Sequence, residues 1–158
     1  MWPCATWRAS ALLKAWERNR KAGGVIERRR AAALAVAPGR KLTGYAAVFG
    51  QESRIAGFTE VIRPGAFTGA LSGRDVLCLI DHDPVRLLAR TKSGTLRLEE
   101  DSKGLRFELD VPDTQEGRDI LTLAERGDLG GMSFGFTVPK GGEQWQGKRR
   151  ELRPVALY

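Results

Sequence analysis

The sequence predicts a β-rich α+β domain, in its simplest form a small barrel with two or three peripheral helices. Three observations carry this expectation. Leu105, Phe107, Leu109 and Val111 alternate with Arg106, Glu108 and Asp110, the period of a strand with one face in a core. Val76-Leu77-Cys78-Leu79-Ile80 is a continuous apolar run, as expected of a strand covered on both faces. Short apolar segments elsewhere are separated by glycines and turn residues. The 158 residues suit one domain, and 42% hydrophobic content is enough to build a core.

Taken in order, Arg8 to Lys21 reads as a helix with Trp7, Ala11 and Ala15 on one side, ended by Gly23-Gly24. The Ala-rich stretch Arg30 to Ala37 fits helix or strand equally, and Pro38-Gly39 makes a turn. Leu42 to Phe49 and Gly57 to Ile62 are strands. Pro64 suits the first position of a helix running to about Leu71, where its missing N–H costs nothing. After the apolar run come strands at Leu87 to Thr91 and Thr95 to Glu99. Asp101-Ser102-Lys103-Gly104 is the turn that makes residues 95–111 a hairpin. A helix starts after Asp113, with Glu116 completing a capping box, Ile120, Leu121 and Ala124 on its apolar side, and Gly127 past its end. Gly131 to Val138 and Gly147 to Tyr158 are the last strands. No internal repeat or low-complexity tract is present.

The charge is unevenly placed. The chain carries 26 Lys+Arg against 19 Asp+Glu, a net charge of +7. Residues 1–40 contain nine basic residues and two acidic ones, so the whole excess sits there and residues 41–158 are neutral. A short basic arm and a neutral domain without basic-aromatic interleaving argue against nucleic acid as the partner. No stretch approaches the ~20 consecutive apolar residues of a membrane span. Ala11-Leu12-Leu13 is too short for a signal peptide. Cys4, Cys78 and a single His82 supply neither a disulfide framework nor a zinc site of standard spacing, and nothing calls for a cofactor.

Chemistry therefore rests on few residues. His82 follows the apolar run in Asp81-His82-Asp83-Pro84 and is the one imidazole able to act as a general base. Ser133 lies among Gly131, Gly135 and Thr137, on the small-residue face of a strand whose other face is Met132, Phe134, Phe136 and Val138. Such a face lets another backbone come close, and a substrate peptide could lie there as an added strand. Cys78 competes poorly as a nucleophile, because four residues of extended strand put it roughly 13 Å from His82. A third, carboxylate member is left open by spacing among Asp110, Asp128 and Glu151.

Several segments together resemble one family. Leu42-Thr43-Gly44-Tyr45-Ala46-Ala47-Val48-Phe49 and Glu60-Val61-Ile62-Arg63-Pro64-Gly65-Ala66-Phe67 look like the opening motifs of tailed-bacteriophage prohead maturation proteases. Asp81-His82-Asp83-Pro84 is similar to that family's Asn-His-Asp motif, with Asp81 in place of Asn. Lys92-Ser93-Gly94-Thr95-Leu96-Arg97-Leu98, Val111-Pro112-Asp113-Thr114 and Arg126-Gly127-Asp128 continue the likeness. Gly131-Met132-Ser133-Phe134-Gly135-Phe136 resembles its serine motif. The resemblance implies an assemblin-like β-barrel surrounded by helices, with His82 as general base and Ser133 as nucleophile. It implies cleavage of scaffold protein, or of the scaffolding segment of the major capsid protein, inside the immature shell in the host bacterial cytoplasm, together with self-cleavage or self-association. It also implies a protease domain over residues 25–158 preceded by a basic extension, 1–24. The family continues past Tyr158 with an acidic residue, then Val-Ser and a Pro-Ala stretch, so the expectation is a domain short of its last strand and of its third catalytic member. The alternative class is a catalytically inactive, protease-like barrel that binds capsid proteins during assembly.

Overall fold

The computed structural model describes residues 26–31 and 33–157. The helix predicted near residues 8–21, the rest of the 1–24 extension and Tyr158 lie outside them. The described residues form a β-rich α+β fold of thirteen strands and two helices. The strands fall into four sheets, and these do not close into one barrel.

The ambiguous Ala-rich stretch is extended. It gives β1 (Glu27–Ala31) and β2 (Ala33–Ala37), which join different sheets. The turn at Pro38-Gly39 leads to β3 (Lys41–Val48), antiparallel to β2. β4 (Glu52–Ile55) and β5 (Phe58–Ile62) form a hairpin. The predicted helix from Pro64 shortens to α1 (Thr68–Leu71). Gly65 has φ +86°, a left-handed conformation that cannot sit inside a right-handed helix, so Pro64 opens a turn instead.

The apolar run contributes a short strand, β6 (Leu77–Leu79), in an antiparallel pair with β7 (Leu87–Arg90). The hairpin expected over 95–111 is present as β8 (Leu96–Glu100) and β9 (Gly104–Asp110). Leu105, Phe107, Leu109 and Val111 are all buried, as their alternation requires.

The second helix, α2, spans Gln115–Glu125. Its cap lies one residue later than predicted: Thr114 Oγ1 accepts from the Gly117 amide, and Glu116 reaches Arg86 instead. A Cβ at Gly117 would strike the Pro112 carbonyl, so the first turn can pack onto residues 111–112 only with glycine there. Gly127, at φ +76°, takes the expected place beyond the helix end.

β10 (Met132–Thr137) carries all of the serine motif but its first residue, Gly131. The single strand predicted over 147–158 is three shorter ones, β11 (Glu143–Gln146), β12 (Arg149–Leu152) and β13 (Ala156–Leu157). β11 and β12 form a hairpin around Gly147, and β12 runs parallel to β5. Phe67, Phe107, Phe136, Leu109 and Leu152 are fully buried where the sheets meet. Phe134 packs edge-on against Phe67 and stacks on Phe136, so the core face of β10 is fixed by aromatic contacts.

Candidate active site

The strand that carries Ser133 has neighbours on both sides. β10 pairs antiparallel with β1 and with β13. β1 lines one edge from Met132 to Phe136, whereas on the other edge β13 pairs only at Phe136 and Thr137, so a substrate strand could add to β10 only along that second edge, beside Met132 to Gly135. Gly135 and Thr137 are buried together with Phe134 and Phe136, and Ser133 is half-buried. Ser133 therefore lies in a cavity rather than on an open face.

His82 reaches this cavity from the β6–β7 hairpin. The Asp83 amide donates to the Ile80 carbonyl at 3.0 Å, closing a four-residue turn. Both central residues are left-handed, Asp81 at φ 53° and His82 at φ 58°. Two such residues in succession define a type I′ turn, whose twist matches an antiparallel hairpin. Asp and His tolerate this region better than most residues, though at a cost. Asp83 Oδ1 accepts from the Val85 amide, and Asp81 pairs with Arg86, so both acidic neighbours point away from the imidazole's reactive edge.

His82 Nε2 and Ser133 Oγ are 2.5 Å apart, a short hydrogen bond between residues 51 positions apart in sequence. Burial, then the nearby Arg28 charge, lower the His82 pKa below its ordinary 6.5, and Asp81 acts in the opposite direction. The ring is thus held neutral at pH 7. A neutral imidazole bonded to the serine through Nε2 can accept the hydroxyl proton as Oγ attacks an electrophile.

The other sequence candidates are placed elsewhere. Cys78 also lines the cavity, and the chain between it and His82 bends through the left-handed turn rather than staying extended. It is buried, and desolvation pushes its thiol up to about 12, so it is an unactivated core residue. Asp110 is held by Arg97 and Lys41, with its pKa drawn down to about 2 by the Arg97 guanidinium. Asp128 pairs with Arg126 beyond α2. Glu151 is buried on β12 among Arg63, Arg149 and Arg153. None of the three lines the cavity, and among the described residues the imidazole's hydrogen bond is to Ser133 alone. Among the described residues no cluster of three His, Cys, Asp or Glu side chains forms. No helix among the described residues is long and apolar enough to cross a membrane.

What the sequence analysis did not anticipate is the role of β1. Arg30 lies directly across from Ser133 and Arg28 across from Gly135. Opposed residues of an antiparallel pair project from the same face, so both arginines stand on the side of Ser133, and both line its cavity of ≈ 250 Å³. Arg29 and Glu27 project from the opposite face into an ion cluster. Arg29 donates to both oxygens of Glu60, at 2.5 and 2.7 Å. Arg150 donates to Glu60 at 3.0 Å, to Glu27 at 2.6 and 2.8 Å, and to Glu143 at 2.6 Å. This cluster ties β1 to β5, β11 and β12. In the sequence Glu27 to Arg29 read only as part of the basic arm, because four successive charged residues carry no period that marks a strand; only Arg30 falls in the stretch that fits helix or strand equally.

Comparison with known proteins gives one match. A family model described as caudovirus prohead serine protease matches residues 28–158. No curated protein and no solved structure matches the chain.

Proposed function

Since the chain belongs to the caudovirus prohead serine protease family, we propose that it is a serine endopeptidase in which Ser133 is the nucleophile and His82 the general base. Its substrate in this reading is the scaffold protein, or the scaffolding segment of the major capsid protein. It acts within the immature shell in the host cytoplasm. The observation that carries the reading is the 2.5 Å contact between His82 Nε2 and Ser133 Oγ.

The chemistry proceeds in two halves. In the first, Oγ attacks the scissile carbonyl while its proton passes to Nε2, and the imidazolium then protonates the leaving amine. The products are an acyl-serine ester and a free amine. In the second, water attacks the ester as Nε2 takes its proton, and Oγ departs carrying that proton. The depressed pKa of His82 supports this role, because the base must be neutral when the substrate arrives.

Labelling by a fluorophosphonate tests the proposal. The reading requires labelling that is lost in both Ser133→Ala and His82→Ala, and cleavage of co-expressed capsid or scaffold protein lost in the same variants. Undiminished labelling of Ser133→Ala would reject the nucleophile. Absence of labelling in the unaltered protein, with capsid protein still bound, would favour the assembly-binding class.

A further inference from the structure

Two cations face the reaction centre and form no ion pair with a carboxylate among the described residues; Asp81, which also lines the cavity, is paired with Arg86. Arg28 and Arg30 stand across from Gly135 and Ser133 and line the cavity that holds His82. Neither forms an ion pair with another described residue, although Arg29 between them has two carboxylates. Arg30 Nη1 lies 3.2 Å from where a Cβ at Gly130 would stand, so its guanidinium extends along the approach to β10 rather than away from it. The rest of the lining is largely apolar, with Leu77, Leu79, Met132 and Phe134 among it.

We infer that Arg28 and Arg30 are specificity-determining residues that seat an acidic side chain of the peptide substrate beside the bond to be cut. The inference rests on the proposed peptidase reading and adds the substrate class. A planar guanidinium pairs with a carboxylate through two parallel hydrogen bonds, fixing orientation as well as charge. The apolar lining accepts the neighbouring aliphatic residues of the same peptide. Two exposed positive charges beside a lining rich in aliphatic side chains match a short acidic-aliphatic segment better than the long phosphate ladder of a nucleic acid. Seating a carboxylate on Arg28 also removes one of the influences that keep the His82 pKa low, so a correctly placed substrate strengthens the base it is about to use.

Binding to the Ser133→Ala protein tests this without requiring turnover. The probes are fluorescent octapeptides of alanine, leucine and valine in which one Glu is walked through every position, and a matching series with Gln. At least one Glu position should bind on the order of five- to tenfold more tightly than its Gln counterpart, and the advantage should shrink as salt is raised. It should vanish when Arg28→Ala and Arg30→Ala are added, and Arg28→Glu with Arg30→Glu should favour a Lys series instead. Equal or absent binding of the two series, or a Glu preference that survives loss of both arginines, overturns the inference. So does tighter binding of a thymidine oligonucleotide than of any Glu peptide. Failure of the peptidase reading shows separately, as loss of Ser133-dependent fluorophosphonate labelling in the unaltered protein.

Discussion

Glu60→Gln probes the ion cluster that fixes β1 while hardly changing side-chain shape. The Glu60 side chain is 1% exposed and lies between Arg29 and Arg150, with three hydrogen bonds from their guanidinium groups. The substitution removes one negative charge and leaves two guanidinium groups facing a neutral amide. Breaking a buried ion pair from one side costs about 3–5 kcal/mol, because the remaining charge stays desolvated. Here Glu27 still answers both arginines and Glu143 still answers Arg150, so the lower end applies, about 3 kcal/mol. For a domain of this size that corresponds to a fall in Tm on the order of 10 °C. Urea unfolding measures it directly, and the midpoint should shift with little change in slope. Adding Arg29→Met to Glu60→Gln should recover part of the loss, because one orphaned cation is gone. A loss below about 1 kcal/mol, or losses that simply add, would refute the claim that these groups act as one buried unit.

Other outcomes follow from the same geometry. Ser133→Ala with His82→Ala should be little worse than either alone, since members of one proton-transfer unit are not additive; independent, multiplying losses in cleavage rate would separate them. In the proposed mechanism His82 acts neutral, and its pKa lies below 6.5, so the acid limb of the pH–rate profile should fall below that value. Arg28→Ala should move the limb upward, because one of the influences lowering the pKa is removed while that of Asp81 remains. In the left-handed turn, Asp81→Asn should be neutral or slightly stabilising, whereas Asp81→Val should cost about 1–2 kcal/mol by chemical denaturation. Cys78 should resist alkylation in the folded protein and react only on unfolding, as peptide mapping would reveal.

Some of this was readable from residues alone. The 95–111 hairpin was, because one buried face leaves a period-two trace and Asp101 to Gly104 mark the turn. α2 was readable in place and length, and its start slipped by one because Asp113 and Thr114 are both good caps. Pro64 misled: its preference for a first helical turn was outweighed by the positive φ of Gly65, a purely backbone demand. The Ala-rich segment resisted assignment since alanine fits a core-facing strand as well as a helix. Closure into a single barrel was an inference from strand number, and strand number does not specify how strands pair. His82 and Ser133 were each legible from the residues, but joining them as a pair came from the resemblance, since no spacing rule joins residues 51 apart. The turn that aims His82 contains no glycine at its left-handed positions, so its conformation left no mark in the sequence.

The pairing of β1 with β10 has a consequence in time. Arg30 and Ser133 are neighbours in space but lie more than half the chain apart. β5 likewise waits for β12, its parallel partner. Contacts between such distant segments form late, because a long loop must close before they give any return. A ribosome-bound chain that has exposed β1 but not yet β10 has Arg28 and Arg30 in hand but not Ser133 or the strand that sets it opposite them. The delay is set by chain order alone: the cavity cannot assemble until the C-terminal strands have been made.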